Sequence, residues 1–205
     1  MQQIFSSSNN VGLRMKYRGM KDGDRQGTAV RGAEGACAAS VIIWLGNMVT
    51  GEARHSRPDE FVASLWYARE YNRMEEFIDL MKKSSRPLDE RQGDVRFEID
   101  TGRRNMMQDA GLKVSSALPY YGLLSPQYMR SRPGYYYVNL GEHAVGIVTL
   151  NSGIHPGYYL FDPNFGAYLT SPGSEFDTEI LDHIRVNYAG SSKYKPIWKL
   201  YNVHA

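Results

Sequence analysis

The chain has 205 residues, 42% of them hydrophobic, and Lys+Arg 24 against Asp+Glu 22 leave a net charge of +2. That length suits one domain with a sizeable core, at most with a short extension. The near-balance of charge argues against nucleic acid or an anionic membrane as the main partner, and no run of about 18 apolar residues marks a transmembrane segment.

Residues 1–33 are rich in Gly, Ser, Asn, Lys and Arg with little periodicity. They read as a flexible leader, with 34–205 as the folded domain. Met1 to Asn10 lack the charged start and apolar stretch of a Sec signal peptide, so export would need a different route. An apolar helical run then begins at Cys37 and reaches about Met48, with Ala38, Val41, Ile42 and Leu45 on one stripe. Ser56-Arg57-Pro58-Asp59-Glu60 resembles a helix start; Phe61, Leu65 and Ala68 carry that helix to about Tyr71. Met74, Phe77, Ile78 and Met81 form a further amphipathic segment that stops before Pro87. A short helix is expected from Arg104 to Ala110, closed by Gly111 in a left-handed cap.

At Pro133-Gly134 the period changes and a β region opens. Strands are expected over Tyr135 to Leu140, His143 to Leu150, Tyr158 to Asp162 and Ala167 to Thr170. One helix follows, capped by Ser174, with Phe176, Ile180 and Ile184 at four-residue spacing, and a strand from Pro196 to Val203 closes the chain. Helices first and an antiparallel sheet afterwards define an α+β class.

Cys37 is the only cysteine, so it makes no internal disulfide and implies no oxidising compartment. Glycines at 32 and 35 precede it, which places the thiol at or near a helix N-terminus, where free N–H groups and the helix dipole favour a thiolate. A thiolate nucleophile needs a base and a group to orient that base. Among His55, His143, His155, His183 and His204, the best placed is His143, at the head of the strand Ala144-Val145-Gly146-Ile147-Val148. Asp162 follows three large apolar residues, Tyr159-Leu160-Phe161, so its carboxylate is partly desolvated and needs a partner. If Ser152-Gly153 forms a two-residue turn, His143 lies nine residues before it and Asp162 nine after it. The two are then directly opposed, with Cβ atoms about 5 Å apart. A longer loop through Pro156-Gly157 shifts the register but keeps the ends close; Asn164 is the reserve orienter.

Taken singly, each of these residues has an ordinary structural explanation, a buried thiol or a strand-end turn. Together their order and spacing agree. The aromatic runs Tyr120-Tyr121 and Tyr135-Tyr136-Tyr137 suit half-buried strands better than a peptide cleft. Lys82-Lys83 and Arg103-Arg104 read as solvated faces. No Cys/His pair stands at ligand spacing for zinc, and the chemistry asks for no metal or cofactor.

Three boxes carry a resemblance: Gly35-Ala36-Cys37 with Trp44-Leu45, Glu142-His143-Ala144-Val145-Gly146, and Phe161-Asp162-Pro163-Asn164-Phe165-Gly166. They resemble the corresponding boxes of the YopT/AvrPphB-type cysteine proteases (peptidase family C58), bacterial effectors with a papain-like fold. The likeness implies Cys37 as nucleophile, His143 as general base and acid, and Asp162 as its orienter. It also implies secretion by a bacterium without a Sec signal, a secretion chaperone as partner, and a host protein cleaved in the host cytoplasm, with self-cleavage in the leader. One position departs from the pattern. The amide that completes a papain-like oxyanion hole stands about five or six residues before the cysteine, where this chain has Arg31 and Gly32; Gln26 is the nearest amide. Two other readings keep the same residues: a deamidase or transglutaminase, and a non-catalytic pseudo-protease that binds a partner through the cleft. A wholly buried Cys37 would count against every enzyme reading and favour the last.

Overall fold

The computed structural model describes residues 1–6, 31–51, 103–105, 107–108, 110–140, 143–153, 156–188 and 198–205. Gln26 and the two segments expected to be helical between Ser56 and Pro87 lie outside the described residues. The described part is α+β, built on one seven-stranded sheet in which every neighbouring pair is antiparallel. Its strands are β1 (Gln2–Ser6), β2 (Lys113–Pro119), β3 (Gly134–Asn139), β4 (Ala144–Leu150), β5 (Gly157–Asp162), β6 (Gly166–Leu169) and β7 (Lys199–His204), in the order β1-β6-β5-β4-β3-β7-β2. The helices are α1 (Arg31–Thr50), α2 (Leu124–Ser131) and α3 (Ser174–Tyr188).

The strands from β3 to β6 fall within a residue or so of the expected ranges. The sheet is wider than expected because β1 and β2 form its two edges. Gln2–Ser6, inside the segment expected as leader, is β1 and pairs with β6. Ser115 and Ser116 give β2 too little apolar character to stand out as a strand, and its side chains are mostly half-exposed or exposed. Around 107–112 the expected cap is present: Gly111 has φ 76°. Its N–H donates to the Gln108 carbonyl at 2.9 Å, and Leu112 N–H donates to Met107 at 2.8 Å, the paired bonds of a Schellman end.

Helices cover the sheet on opposite faces. On one, α1 packs Val41, Trp44, Leu45 and Met48 against Tyr137, Val148, Phe161 and Tyr201. On the other, Phe176, Ile180 and Ile184 of α3 pack with Val145, Ile147, Leu160 and Leu200. The arginine of α2, Arg130, grips Asp177 of α3 through both carboxylate oxygens at 2.9 to 3.1 Å. Every described α1 side chain from Cys37 to Leu45 is buried, so the helix is sunk on more than the single stripe expected. No described helix is long and apolar enough to cross a membrane.

Candidate active site

Cys37 is the seventh residue of α1, not its first. Alanines at 33 and 36 favour helix, and glycines at 32 and 35 cost about 1 kcal/mol each, a deficit offset by the deeply buried apolar run downstream. Two consequences follow from that position. The dipole's effect fades beyond the first turn, and the Cys37 N–H falls inside the helix's own i→i−4 ladder, so it is not a free oxyanion donor. What α1 supplies instead is register. Cys37, Val41 and Trp44 lie at i, i+4 and i+7, on one side of the helix.

That side meets β4 at Gly146. A Cβ there would sit 2.9 Å from two Trp44 ring carbons and 3.2 Å from Val41, so only glycine admits the helix this closely. Trp44 also packs on Phe161, the β5 partner of Gly146, with ring centroids 5.2 Å apart. Seven helical residues from Trp44 back to Cys37 span about 10 Å. Three strand residues from Gly146 back to His143 span about the same. Seating Trp44 on Gly146 thus delivers Cys37 to His143.

His143 is one residue before β4, its carbonyl accepting from Leu140 N–H at 2.8 Å. β4 and β5 pair Leu150 with Gly157 and Gly146 with Phe161. The longer of the two loops is therefore the one formed, and Asp162 comes opposite Val145 rather than His143. An even shift keeps both residues on one face, and the diagonal is within reach of an imidazole. His143 Nε2 lies 2.9 Å from Asp162 Oδ1, which leaves Nδ1 for Cys37, with which His143 shares a side-chain hydrogen bond. Burial disfavours the charged ring, but the Cys37 and Asp162 charges and hydrogen bonds outweigh it and push the His143 pKa up to about 10. Burial likewise works against the Asp162 carboxylate; the charge and hydrogen bond of His143, joined by His183, hold it well below the usual carboxylate range.

Asp162 is fully buried and accepts on both oxygens. Oδ1 takes His143 and the Asn164 N–H, the latter at 2.9 Å; Oδ2 takes His183 Nε2 at 2.8 Å and the Tyr188 hydroxyl at 2.7 Å. Tyr188 also stacks on His143, with centroids 4.8 Å apart and planes 16° from parallel. Asn164 is not an orienter of His143. Its Nδ2 points to the Tyr188 hydroxyl at 3.4 Å and its Oδ1 lies 3.9 Å from Cys37 Sγ. On the α1 side Tyr137 is buried within the field of Cys37. Burial raises its pKa to about 12 with help from the Cys37 charge, opposed by Arg103, whose side chain hydrogen-bonds it. Arg103, expected on a solvated face, is therefore a buried residue beside the site, 5% exposed.

The structure brings together Cys37, His143, Asp162 and Asn164 from distant parts of the chain; Gln26 lies outside the described residues. The sequence reading missed His183 and Tyr188. The signal was present: His183 falls on the stripe of Phe176, Ile180 and Ile184, and a histidine on a buried helix face needs a polar partner. Among the described residues, no cluster of His, Cys, Asp or Glu could hold a metal ion. No family model matches the chain, and no curated protein matches it.

Proposed function

We propose that this chain is a cysteine endopeptidase of papain-like type, as its resemblance to the YopT/AvrPphB proteases implies, with a host protein as substrate after export from a bacterium. The observation that carries the reading is the convergence of Cys37, His143 and Asp162, with His143 hydrogen-bonded to both partners. Cys37 Sγ attacks a peptide carbonyl, forming a thioester as the C–N bond breaks. His143, protonated beside Cys37 and Asp162, gives its proton to the leaving amine. The neutral ring then takes a proton from water, which attacks the thioester and releases the acid and the Cys37 thiolate, restoring the starting thiolate and protonated His143. Asp162 stays ionised throughout and holds the ring. The Gln26 amide is the proposed oxyanion donor, a contribution of roughly 3 kcal/mol in related chemistry.

The test is incubation of the wild type and Cys37→Ala with host lysate, followed by profiling of new N-termini. Termini that depend on Cys37 support the protease; their absence overturns it. A gain of about one dalton at a glutamine, the mass difference between amide and acid, identifies a deamidase acting through the same thioester.

One observation favours the non-catalytic reading. Cys37 is 1% exposed, and a sequestered thiol suits a binding module better than an open nucleophile. Iodoacetamide separates the two. A catalytic Cys37 reacts at neutral pH and slows about tenfold or more in His143→Ala; a structural thiol is unreactive in both.

A further inference from the structure

The donor set of Asp162 contains more than an orienting carboxylate requires. A carboxylate and one histidine make an orienting pair; here a second histidine, from the opposite layer of the molecule, takes the other oxygen. We infer that His183 is a positioning residue for the proposed nucleophile pair: its Nε2–H fixes Asp162 in its ionised form and rotamer, so that His143 stays protonated beside Cys37. The inference rests on the proposed reading of Cys37 and His143 as a working pair.

Geometry assigns the proton on His183. Asp162 accepts from His143 and the Asn164 N–H on Oδ1, and Oδ2 lies 2.8 Å from His183 Nε2, so that nitrogen must carry hydrogen. Nδ1 then faces an amide donor, Asn187 Nδ2 at 3.5 Å, which also binds the His183 carbonyl at 2.9 Å. Both ring nitrogens are accounted for in the neutral tautomer that donates to Asp162. The ring cannot turn away. Phe165 and Tyr168 meet it edge-on, with centroids 5.7 and 5.4 Å away, and the residue is 8% exposed.

The consequence follows from burial. Asp162 has no solvent to fall back on, and a carboxylate in that setting stays charged only while several donors serve it. Among the described residues, the ionisable groups around it are His143 from the head of β4, His183 and Tyr188 from α3, and Tyr168 from β6, whose hydroxyl also accepts from Gln3 at 3.2 Å. Cys37 acts on the same set through His143 and Tyr188. Without the His183 N–H, Oδ2 keeps, among the described residues, only the Tyr188 hydroxyl. Asp162 then protonates more readily, and His143 loses the charge that keeps its own proton in place.

The experiment uses the full chain, without substrate. His183→Met keeps the bulk and removes the donor; His183→Gln restores an N–H near the position of Nε2. The readouts are the His143 ring titration by NMR and the pH profile of Cys37 alkylation by iodoacetamide. In His183→Met, His143 releases its proton at least one pH unit lower, and Cys37 alkylates about tenfold more slowly at pH 6. His183→Gln stays within about threefold of wild type. Asn187→Val, which removes the amide facing Nδ1, shifts both readouts the same way by less, and carries the test should His183→Met fail to fold. Unchanged His143 titration in a folded His183→Met or in Asn187→Val overturns the inference. So does a Gln variant as impaired as Met, which would assign the effect to shape. Because neither readout needs proteolysis, failure here is distinct from failure of the protease reading, which appears only as missing cleavage products in the lysate.

Discussion

The two faces of the sheet bring different physics to one site. On the α1 face the thiol is placed by packing: Trp44 and Val41 press onto Gly146, Trp44 stacks near Phe161, and Cys37 arrives at the sheet's end as a result. On the α3 face Asp162 is placed by hydrogen bonds, with His183 and Tyr188 reaching its second oxygen. His143 sits where the two layers meet, bonded to both sides. Packing tolerates small shifts but sets distance; hydrogen bonds tolerate little and set charge. The thiol side therefore controls whether Cys37 is within reach of His143, and the acid side controls whether His143 is protonated when it arrives.

The largest effect should come from breaking the acid side outright. Asp162→Ala leaves the His143 charge without its buried partner and strands the donors of His183 and Tyr188, costing about 3–5 kcal/mol in urea unfolding. A loss under about 1 kcal/mol would show that the network adds little to the fold. The pH dependence has a defined sign. Asp162 is held below its ordinary 3.8, so its contribution is present above about pH 4 and is lost as pH falls. His143 is raised from 6.5 to about 10, so its contribution is complete below pH 6.5 and is lost as pH climbs toward 10. Stability from the pair should thus be greatest between about pH 4 and 6.5. Asp162→Asn should flatten both limbs of the profile. A wild-type curve that rises steadily from pH 6.5 to 9 would contradict the charge assignment.

The packing side breaks at Gly146. Gly146→Val places a branched side chain where even a Cβ would lie 2.9 Å from Trp44, and the overpacking should cost about 3 kcal/mol. The effect on chemistry should exceed that on stability. As α1 lifts away, Cys37 loses His143, and a misplacement of about 1 Å costs on the order of 100-fold in rate. Iodoacetamide reactivity at neutral pH should fall accordingly, while Asp162 and His183 remain bonded. Trp44→Ala in the same background should recover part of the reactivity; no recovery would mean that Gly146 acts otherwise than through Trp44.

The sequence made the central strands legible, since Tyr135 to Asp162 carry short β-branched and aromatic apolar runs and Gly or Pro marks each turn. It also showed Cys37, His143 and Asp162, whose residue types and order are unusual together. It placed Cys37 at a helix start because glycines at 32 and 35 look like a boundary, whereas burial of Val41 to Met48 carries the helix through them. The His143–Asp162 register was right in face but off by two residues, because turn chemistry at Ser152-Gly153 and at Pro156-Gly157 is equally persuasive locally. Long-range pairing was least visible. Nothing local in Gln2–Ser6 announces a strand that completes the sheet beside β6, and Arg103 looks solvent-facing until Tyr137 takes it in.

The smallest effect tests whether the packing side transmits strain from afar. Gly111 holds φ 76°, and a Cβ added there would meet open space, so Gly111→Ala suffers backbone strain alone, about 1 kcal/mol. The turn it closes comes close to α1 at Gly46, where the Ala110 carbonyl oxygen lies 3.1 Å from where a Cβ would be. That contact is nine residues along the helix from Cys37, beyond the Trp44 seat on Gly146. If the seat fixes the helix, Gly111→Ala lowers the urea midpoint and leaves the His143 titration and Cys37 alkylation unchanged. A shift in either would mean that α1 moves as a rod from its far end, and that the distance between thiol and imidazole is set by the whole helix rather than by one glycine.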